Sequence, residues 1–109
     1  MSKVPAIDVE QLRDMLQTTA PPVILDVREK WENEICNLPS NRLIPLGSLS
    51  AHVAELPKDQ TIIVHCHHGG RSSRAVAYLQ QQGFAKVFNL TGGIHAWSQR
   101  IDPDVKIYD

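Results

Sequence analysis

Cys66 stands in the part of the sequence that is richest in chemically active side chains, IIVHCHHGGRSSRA. An apolar run ends at this cysteine, and Gly69 and Gly70 separate it from the polar residues that follow. A glycine-rich turn that leads into a helix directs its backbone N–H groups toward an anion. The thiolate of Cys66 can itself be that anion, and a guanidinium from Arg71 or Arg74 adds to the effect where it points inward. Such surroundings lower the pKa of a thiol below its ordinary value of ~8.5, so the pattern indicates a cysteine nucleophile.

A buried unreactive cysteine and a metal site are two alternatives. A free cysteine at the end of a strand is most often a small buried hydrophobe. A cysteine that only fills space in the core, however, does not need a turn lined with amides. The segment HCHH places four potential ligands side by side. Structural zinc sites draw their ligands from separated pairs, because adjacent residues do not all turn toward one tetrahedral ion. His52 and His95 are scattered elsewhere in the sequence, so we predict no metal site.

A cysteine phosphatase or arsenate reductase is the chemically closer alternative. A cysteine phosphatase uses a loop with one more residue before its arginine, so that the amides and the guanidinium surround a tetrahedral phosphate. Here four residues separate Cys66 from Arg71, and Ser72 stands where the arginine of the longer loop would fall. The shorter loop makes a smaller cradle, which suits a single terminal sulfur better than a phosphate.

Short apolar runs alternate with helix-forming segments and set the position of this loop. Helices are predicted at AIDVEQLRDMLQTT, with Asp8 as N-cap and Gln11 at the capping-box position, and at REKWENEIC, LSAHVAEL, SRAVAYLQQQ and GGIHAWSQR. Strands are predicted at VILDV, RLIPL, TIIVHC and AKVFNL. The alternation predicts an α/β fold with a central parallel sheet flanked by helices on both faces. Since parallel strands end at one edge of the sheet, Asp26 and Arg28 are expected near the Cys66 loop.

The composition limits the classes of protein that the chain can represent. It has 109 residues, of which 42% are hydrophobic, and its formal net charge is -1. We expect one domain over residues 1–109 and no nucleic-acid partner, because no basic surplus is visible. No apolar run approaches the ~18 residues that span a bilayer, and no secretory signal is visible. We therefore expect no membrane association and a cytoplasmic location, where two cysteines remain reduced.

Three motifs in the same order resemble the rhodanese family, specifically the single-domain rhodanese-like sulfurtransferases. VILDVREKWENEI is similar to the N-terminal motif of the family, and IIVHCHHGGRSSRAVAYLQQQGF is similar to its active-site strand, loop and helix. VFNLTGGIHAW is similar to its closing Gly-Gly-x-x-x-Trp motif. The resemblance covers nearly the whole chain and implies a rhodanese-like α/β fold.

The resemblance also implies a reaction and the residues that perform it. Cys66 would take a sulfane sulfur from a small donor such as thiosulfate, form a persulfide, and pass the sulfur to a thiol, to cyanide or to a sulfur-accepting protein. No cofactor is needed. Asp26 and Arg28 would support the loop and the sheet edge. The residues that would bind the substrate or the persulfide form one continuous loop: His67, His68, Gly69, Gly70 and Arg71. A non-catalytic rhodanese-like binding or regulatory module is the alternative function.

Several features lie outside the matched motifs or depart from them. Thiosulfate-preferring members of the family often have a basic residue directly after the cysteine, where this chain has His67. Cys36 would resolve the persulfide only if it lies within bridging distance of Cys66, and a bystander role is the simpler expectation. Trp97 is expected in the core. We expect the C-terminal segment, DPDVKIYD, to form an ordered surface strand rather than a docking segment.

Overall fold

Five parallel strands form the centre of the protein. In the computed structural model, which describes residues 4–108, they are β1 (Ala6–Ile7), β2 (Val23–Asp26), β3 (Asn41–Leu43), β4 (Ile62–His65) and β5 (Val87–Leu90). They lie in one sheet in the order β1-β5-β4-β2-β3, and each neighbouring pair is parallel. β4, which leads to Cys66, therefore lies in the middle of the sheet, and the predicted central parallel sheet is confirmed.

Helices cover both faces of this sheet, as predicted. They are α1 (Val9–Leu16), α2 (Lys30–Ile35), α3 (Leu49–His52), α4 (Gly70–Gln81) and α5 (Gly93–Arg100), and a 3₁₀ turn lies on either side of α3. Ile62 and Val64 of β4 enter an apolar cluster with residues of α3 and α4, whereas Ile63 between them enters a second cluster with α1 and α5. Such alternation is what a strand buried on both faces requires. Trp97 is buried in the second cluster, as expected.

The ends of β2 and β4 meet at one edge, which positions the site. Asp26 is the register partner of His65, and the backbone N–H of Val27 donates a hydrogen bond to the His65 carbonyl at 3.1 Å. The residues that follow the two strands, Arg28 and Cys66, therefore leave the sheet on the same side. This confirms the expectation that the two strands end together.

The start of α1 was predicted correctly, but β1 was not predicted. The Asp8 side chain accepts a hydrogen bond from the Gln11 backbone and the Gln11 side chain accepts one from the Asp8 backbone, both at 2.8 Å. This is the predicted capping box. Ala6–Ile7 form a short strand against β5 rather than the start of the helix. The sequence did not predict this strand because two residues are too few to show a strand pattern.

Other elements also differ from the sequence predictions, two of them near the site. α4 begins at Gly70 rather than at Ser73, so Arg71 lies in its first turn. Residues 102–108 form no strand, so the expected surface strand at the C-terminal segment is wrong; this segment packs against the site through Tyr108 instead. No helix among residues 4–108 is both long enough and apolar enough to cross a bilayer.

Candidate active site

Cys66 lies directly after β4, and hydrogen-bond donors surround its sulfur. The residue is 2% exposed. Its Sγ accepts hydrogen bonds from the backbone N–H of Gly69 at 3.1 Å and of Ser72 at 3.4 Å. The Ser72 hydroxyl lies 3.4 Å from the same sulfur. The predicted amide cradle is thus present at Gly69, and it extends to Ser72, a site residue that the spacing of the sequence did not reveal.

The backbone of Gly69 and the side chain of Asn89 hold this cradle in shape. Gly69 has a φ of +118°, in the left-handed region that favours glycine. Asn89 of β5 donates from Nδ2 to the Gly69 carbonyl at 3.3 Å and accepts from the Ser72 hydroxyl through Oδ1. That hydroxyl has a single proton, which is shared between Asn89 and the sulfur of Cys66. The strand next to β4 therefore fixes both the turn and the hydroxyl.

These contacts favour the thiolate form of Cys66. Burial raises the pKa of the thiol, but hydrogen bonds from the Ser72 hydroxyl and from the backbone N–H groups of Ser72, Gly69 and Arg71 outweigh it. The net result is a pKa below the ordinary value of a thiol. The first turn of α4 adds the partial positive charge of a helix N-terminus. The site therefore provides a nucleophilic sulfur in a small, polar cradle.

The sulfur faces an open pocket of about 440 Å³. The residues that line it are Cys66, His67, His68, Gly70, Arg71 and Arg74. Of the loop residues predicted to bind substrate, Gly69 alone does not line this pocket; it contributes its N–H to the sulfur instead. Burial and the neighbouring charge of His68 lower the pKa of His67, which favours its neutral imidazole.

Arg71 is held at the rim of the pocket by Glu32. Its Nη1 and Nη2 donate to Glu32 Oε1 and Oε2 at 2.7 and 2.8 Å, a bidentate ion pair. The Glu32 side chain is only 4% exposed, and Oε2 also accepts a hydrogen bond from the Tyr108 hydroxyl at 2.7 Å. The hydrogen bond from Arg71 outweighs burial and brings the pKa of Glu32 to about 2. Neither Glu32 nor Tyr108 was a candidate from sequence.

Asp26 and Arg28 form a second, fully buried ion pair behind the first. Arg28 donates from Nε to Asp26 Oδ1 at 2.9 Å and from Nη2 to Oδ2 at 2.7 Å. It also donates to the carbonyls of Glu32 and Cys36, at 3.2 and 2.7 Å. The pair thus fixes the end of α2, the helix that presents Glu32 to Arg71. Its contacts are consistent with the supporting role that the sequence predicted.

The comparison with known proteins agrees with this geometry. The sequence model of the Rhodanese-like domain family matches residues 8–100. The chain belongs to this family. A sulfurtransferase from Allochromatium vinosum is 37% identical to this rhodanese-like chain over 93 residues, which cover 85% of the chain and 87% of that relative. The crystal structure of a rhodanese-like domain protein from Staphylococcus aureus has a TM-score of 0.83 and 28% identity, covering 96% of this chain and 99% of that one.

A longer relative matches only in part. The probable adenylyltransferase/sulfurtransferase MoeZ of Mycobacterium tuberculosis is 33% identical over 109 residues. These residues cover 98% of this chain but 28% of that protein. Membership of the rhodanese-like family, together with relatives named sulfurtransferases, supports sulfur transfer as the general activity of this chain.

Cys36 and Cys66 belong to different parts of this rhodanese-like core. Cys36 is buried in the apolar cluster beneath α1 and α5, and Cys66 in the cluster beneath α4, on the other face of the sheet. Both cysteines are free. The Cys36 sulfur instead lies 3.7 Å from Nη1 of Arg28. The arrangement favours the bystander role for Cys36 over a disulfide with Cys66.

His95 lies near the loop although it is distant from it in the sequence. It lies beside His67 and His68, and one ring nitrogen from each of the three lies within 4.8 Å of the others. The prediction of no metal site relied in part on His95 being far from the loop in the sequence, but in the structure His95 lies beside the loop histidines. Backbone hydrogen bonds bring His95 to the loop. The N–H of Ile94 donates to the Cys66 carbonyl at 3.0 Å, and the N–H of His95 donates to the His67 carbonyl at 3.1 Å. No spacing rule predicts such a contact between a loop and a distant helix.

Proposed function

We propose that this rhodanese-like protein transfers sulfane sulfur through a persulfide on Cys66. The observation that supports it most directly is the ring of donors around a thiol whose pKa is lowered, formed by Gly69 and Ser72. A persulfide places its negative charge on the terminal sulfur, which would extend from Cys66 toward the pocket. The remaining N–H groups of the loop and the rim guanidinium of Arg71 would bind that sulfur.

The proposed reaction has two displacement steps. In the first, the Cys66 thiolate attacks the outer sulfur of a donor such as thiosulfate. A sulfur–sulfur bond forms, the bond to the sulfonate sulfur breaks, and sulfite leaves with the electron pair. In the second, an acceptor thiolate or cyanide attacks the outer sulfur, and the Cys66 thiolate leaves. Each step exchanges one bond for another, so no external oxidant or reductant is needed, and ping-pong kinetics follow.

The charge and the accessibility of the site support a proposal for the classes of donor and acceptor. His67 stands where thiosulfate-preferring members of the family often have a basic residue, and Arg71 shares its charge with Glu32. We therefore expect thiosulfate to be a modest donor and a persulfide to be a better one. The open pocket gives an acceptor access to Cys66, and the acceptor is a thiol, cyanide or a sulfur-accepting protein. Two free cysteines suit a reducing, cytoplasmic setting.

Intact mass after brief exposure to a donor tests the proposal. The wild type should gain the mass of one sulfur atom, Cys36→Ala should gain it as well, and Cys66→Ala should not. Cyanide should then remove the added sulfur as thiocyanate. If neither thiosulfate nor a low-molecular-weight persulfide loads the wild type, the proposal fails and the binding-module alternative becomes the better one.

A phosphatase assay distinguishes sulfur transfer from the remaining alternative, a cysteine phosphatase. The loop has one residue fewer between Cys66 and Arg71 than a phosphate-sized cradle needs, so we expect no hydrolysis of an aryl phosphate. Hydrolysis that is present in the wild type and absent in Cys66→Ala would contradict the assignment.

A further inference from the structure

Three histidines that have no required part in the persulfide chemistry converge beside the loop. His67 and His68 follow Cys66, and His95 lies in the first turn of α5. The ring centroid of His68 is 4.0 Å from that of His67 and 4.7 Å from that of His95. Imidazole is the protein ligand that zinc, copper, iron and nickel share. The juxtaposition therefore places three ligands for one such ion in a small volume.

Two of the three rings have a buried nitrogen with no partner. Nε2 of His67 and Nδ1 of His95 are shielded from solvent, and neither forms a hydrogen bond within residues 4–108. Leaving a buried polar group unpaired typically costs about 1–3 kcal/mol. A cation bound to both rings would give each side chain a partner. The third ring, that of His68, is exposed and free to turn toward the same ion.

The backbone holds two of the ligands in place before any ion arrives. The N–H of His95 donates to the His67 carbonyl at 3.1 Å, so the two residues are joined directly. Gly93 makes this approach possible, because a Cβ at that position would lie 2.4 Å from the His67 carbonyl oxygen. Ligands on rigid, connected backbone are the ones that bind a metal without a large ordering cost.

We propose that His67, His68 and His95 form a binding site for a divalent cation of the zinc class. Three nitrogen ligands and one open position are the arrangement of zinc sites that keep a place for another ligand. At a Zn–N distance of ~2.0–2.1 Å, the ligand nitrogens must lie roughly 3.4 Å apart. The ligand nitrogens now lie within 4.8 Å of one another, so binding requires all three side chains to rotate, and the exposed His68 ring has the most room to do so. Since the three ligands are nitrogens, hard ions such as Mg²⁺ and Ca²⁺ are not expected to bind.

This site shares His67 and His68 with the pocket that Cys66 faces, but it uses other groups than the proposed sulfur transfer does. Its ligands are imidazoles, and neither the thiolate nor the persulfide of Cys66 is needed to complete the set of three. His67 and His68 also line the pocket that Cys66 faces. A bound ion would therefore lie at the wall of this pocket.

Calorimetric titration of the metal-free full chain with Zn²⁺ tests the proposal. The wild type should bind one equivalent, and His95→Gln and His68→Gln should each bind at least tenfold more weakly. His52→Gln is the matched control, because His52 is exposed and paired with Glu55 away from the loop; its affinity should equal that of the wild type. Cys66→Ala should keep the site. Co²⁺ should give the visible absorption of a four-coordinate ion with nitrogen ligands, in the wild type and in Cys66→Ala alike.

Two results would overturn the proposal. One is the absence of stoichiometric Zn²⁺ binding by the wild type. The other is binding that is lost in Cys66→Ala but kept in His95→Gln, since the thiolate would then hold the ion. Thermal unfolding identifies misfolded variants. At the same Zn²⁺ concentration, the Tm of the wild type should rise more than that of His68→Gln, whose exposed side chain can be replaced without disturbing the core. Persulfide formation is measured on chelator-treated protein, so the two proposals can fail independently.

Discussion

The imidazole of His67 lies parallel to the phenol ring of Tyr108, with ring centroids 4.0 Å apart and an interplanar angle of 11°. The Tyr108 hydroxyl donates to Glu32 Oε2 at 2.7 Å and accepts from Arg28 Nη1 at 3.2 Å. Tyr108 therefore contacts the Cys66 loop and both ion pairs, Arg71–Glu32 and Arg28–Asp26. The C-terminal segment is part of the site.

This relationship predicts graded effects of substitution at Tyr108. Tyr108→Phe keeps the stacked ring but loses the hydrogen bonds to two charged groups, so we expect the free energy of unfolding to fall by about 1 kcal/mol. Tyr108→Ala also loses the ring, and about 2 kcal/mol or more should be lost. Urea unfolding measures both. Tyr78→Phe in α4 is the control and should differ little from the wild type; equal values for Tyr78→Phe and Tyr108→Ala would contradict the assigned contacts.

The Ser72 hydroxyl should favour the thiolate of Cys66. Its removal in Ser72→Ala takes away one donor to the sulfur, so the pKa of Cys66 should rise. A hydrogen bond of about 1 kcal/mol corresponds to roughly a fivefold change in the ratio of thiolate to thiol. Alkylation of Cys66 by iodoacetamide at neutral pH should therefore slow by about that factor. The pH profile of the alkylation rate measures it, with Cys36→Ala as background so that only one thiol reacts.

Ser73→Ala provides the matched control for this effect. Ser73 is the next residue of α4, and it donates its backbone N–H to the Gly69 carbonyl at 3.0 Å rather than to the sulfur. Its side chain should leave the alkylation profile unchanged. If Ser72→Ala and Ser73→Ala give the same profile, the hydroxyl of Ser72 has no influence on the thiol.

The secondary structure around the loop could be predicted from the local sequence. The site residues that come from distant parts of the chain could not. The strand before Cys66, the glycine turn and the capping box at Asp8 each depend on residues within a few positions of one another. Glu32, Tyr108 and His95 reach the loop only because α2, the C-terminal segment and α5 fold back onto it. Such contacts are set by tertiary packing, which leaves no periodicity in the sequence. The histidine cluster was missed for this reason.

Glu32 makes the stability of the protein depend on pH on the acid side. Its pKa in the folded protein is about 2, below the ordinary value of 4.5. Between these two pH values the unfolded chain therefore binds more protons than the folded protein does. The stabilisation is complete above pH 4.5 and is lost progressively as the pH falls toward 2. A shift of this size corresponds to roughly 3 kcal/mol. Asp26, whose pKa is also about 2, acts in the same direction.

The variant Glu32→Gln separates the contribution of Glu32 from that of Asp26. It should be less stable than the wild type at pH 7, and the difference should narrow as the pH falls from 4.5 toward 2. Glu34→Gln, an exposed position in the same helix, should follow the wild-type curve. Denaturant unfolding across this pH range provides the measurement. A constant difference between Glu32→Gln and the wild type would show that the carboxylate does not titrate as assigned.

Gly93 joins α5 to the Cys66 loop, and substitution there should disturb both the stability of the protein and the reactivity of the Cys66 thiol. A Cβ at this position would lie 2.4 Å from the His67 carbonyl oxygen and 2.5 Å from that of Cys66, and its φ is +63°. Backbone must therefore move, so Gly93→Ala should lower the free energy of unfolding by about 2–4 kcal/mol. It should also slow alkylation of Cys66, because the loop that holds the sulfur moves with these carbonyls. Gly47→Ala, where a Cβ meets nothing within 4 Å, is the matched control and should change neither value. A Gly93→Ala protein with wild-type stability and thiol reactivity would contradict the tight contact between α5 and the loop.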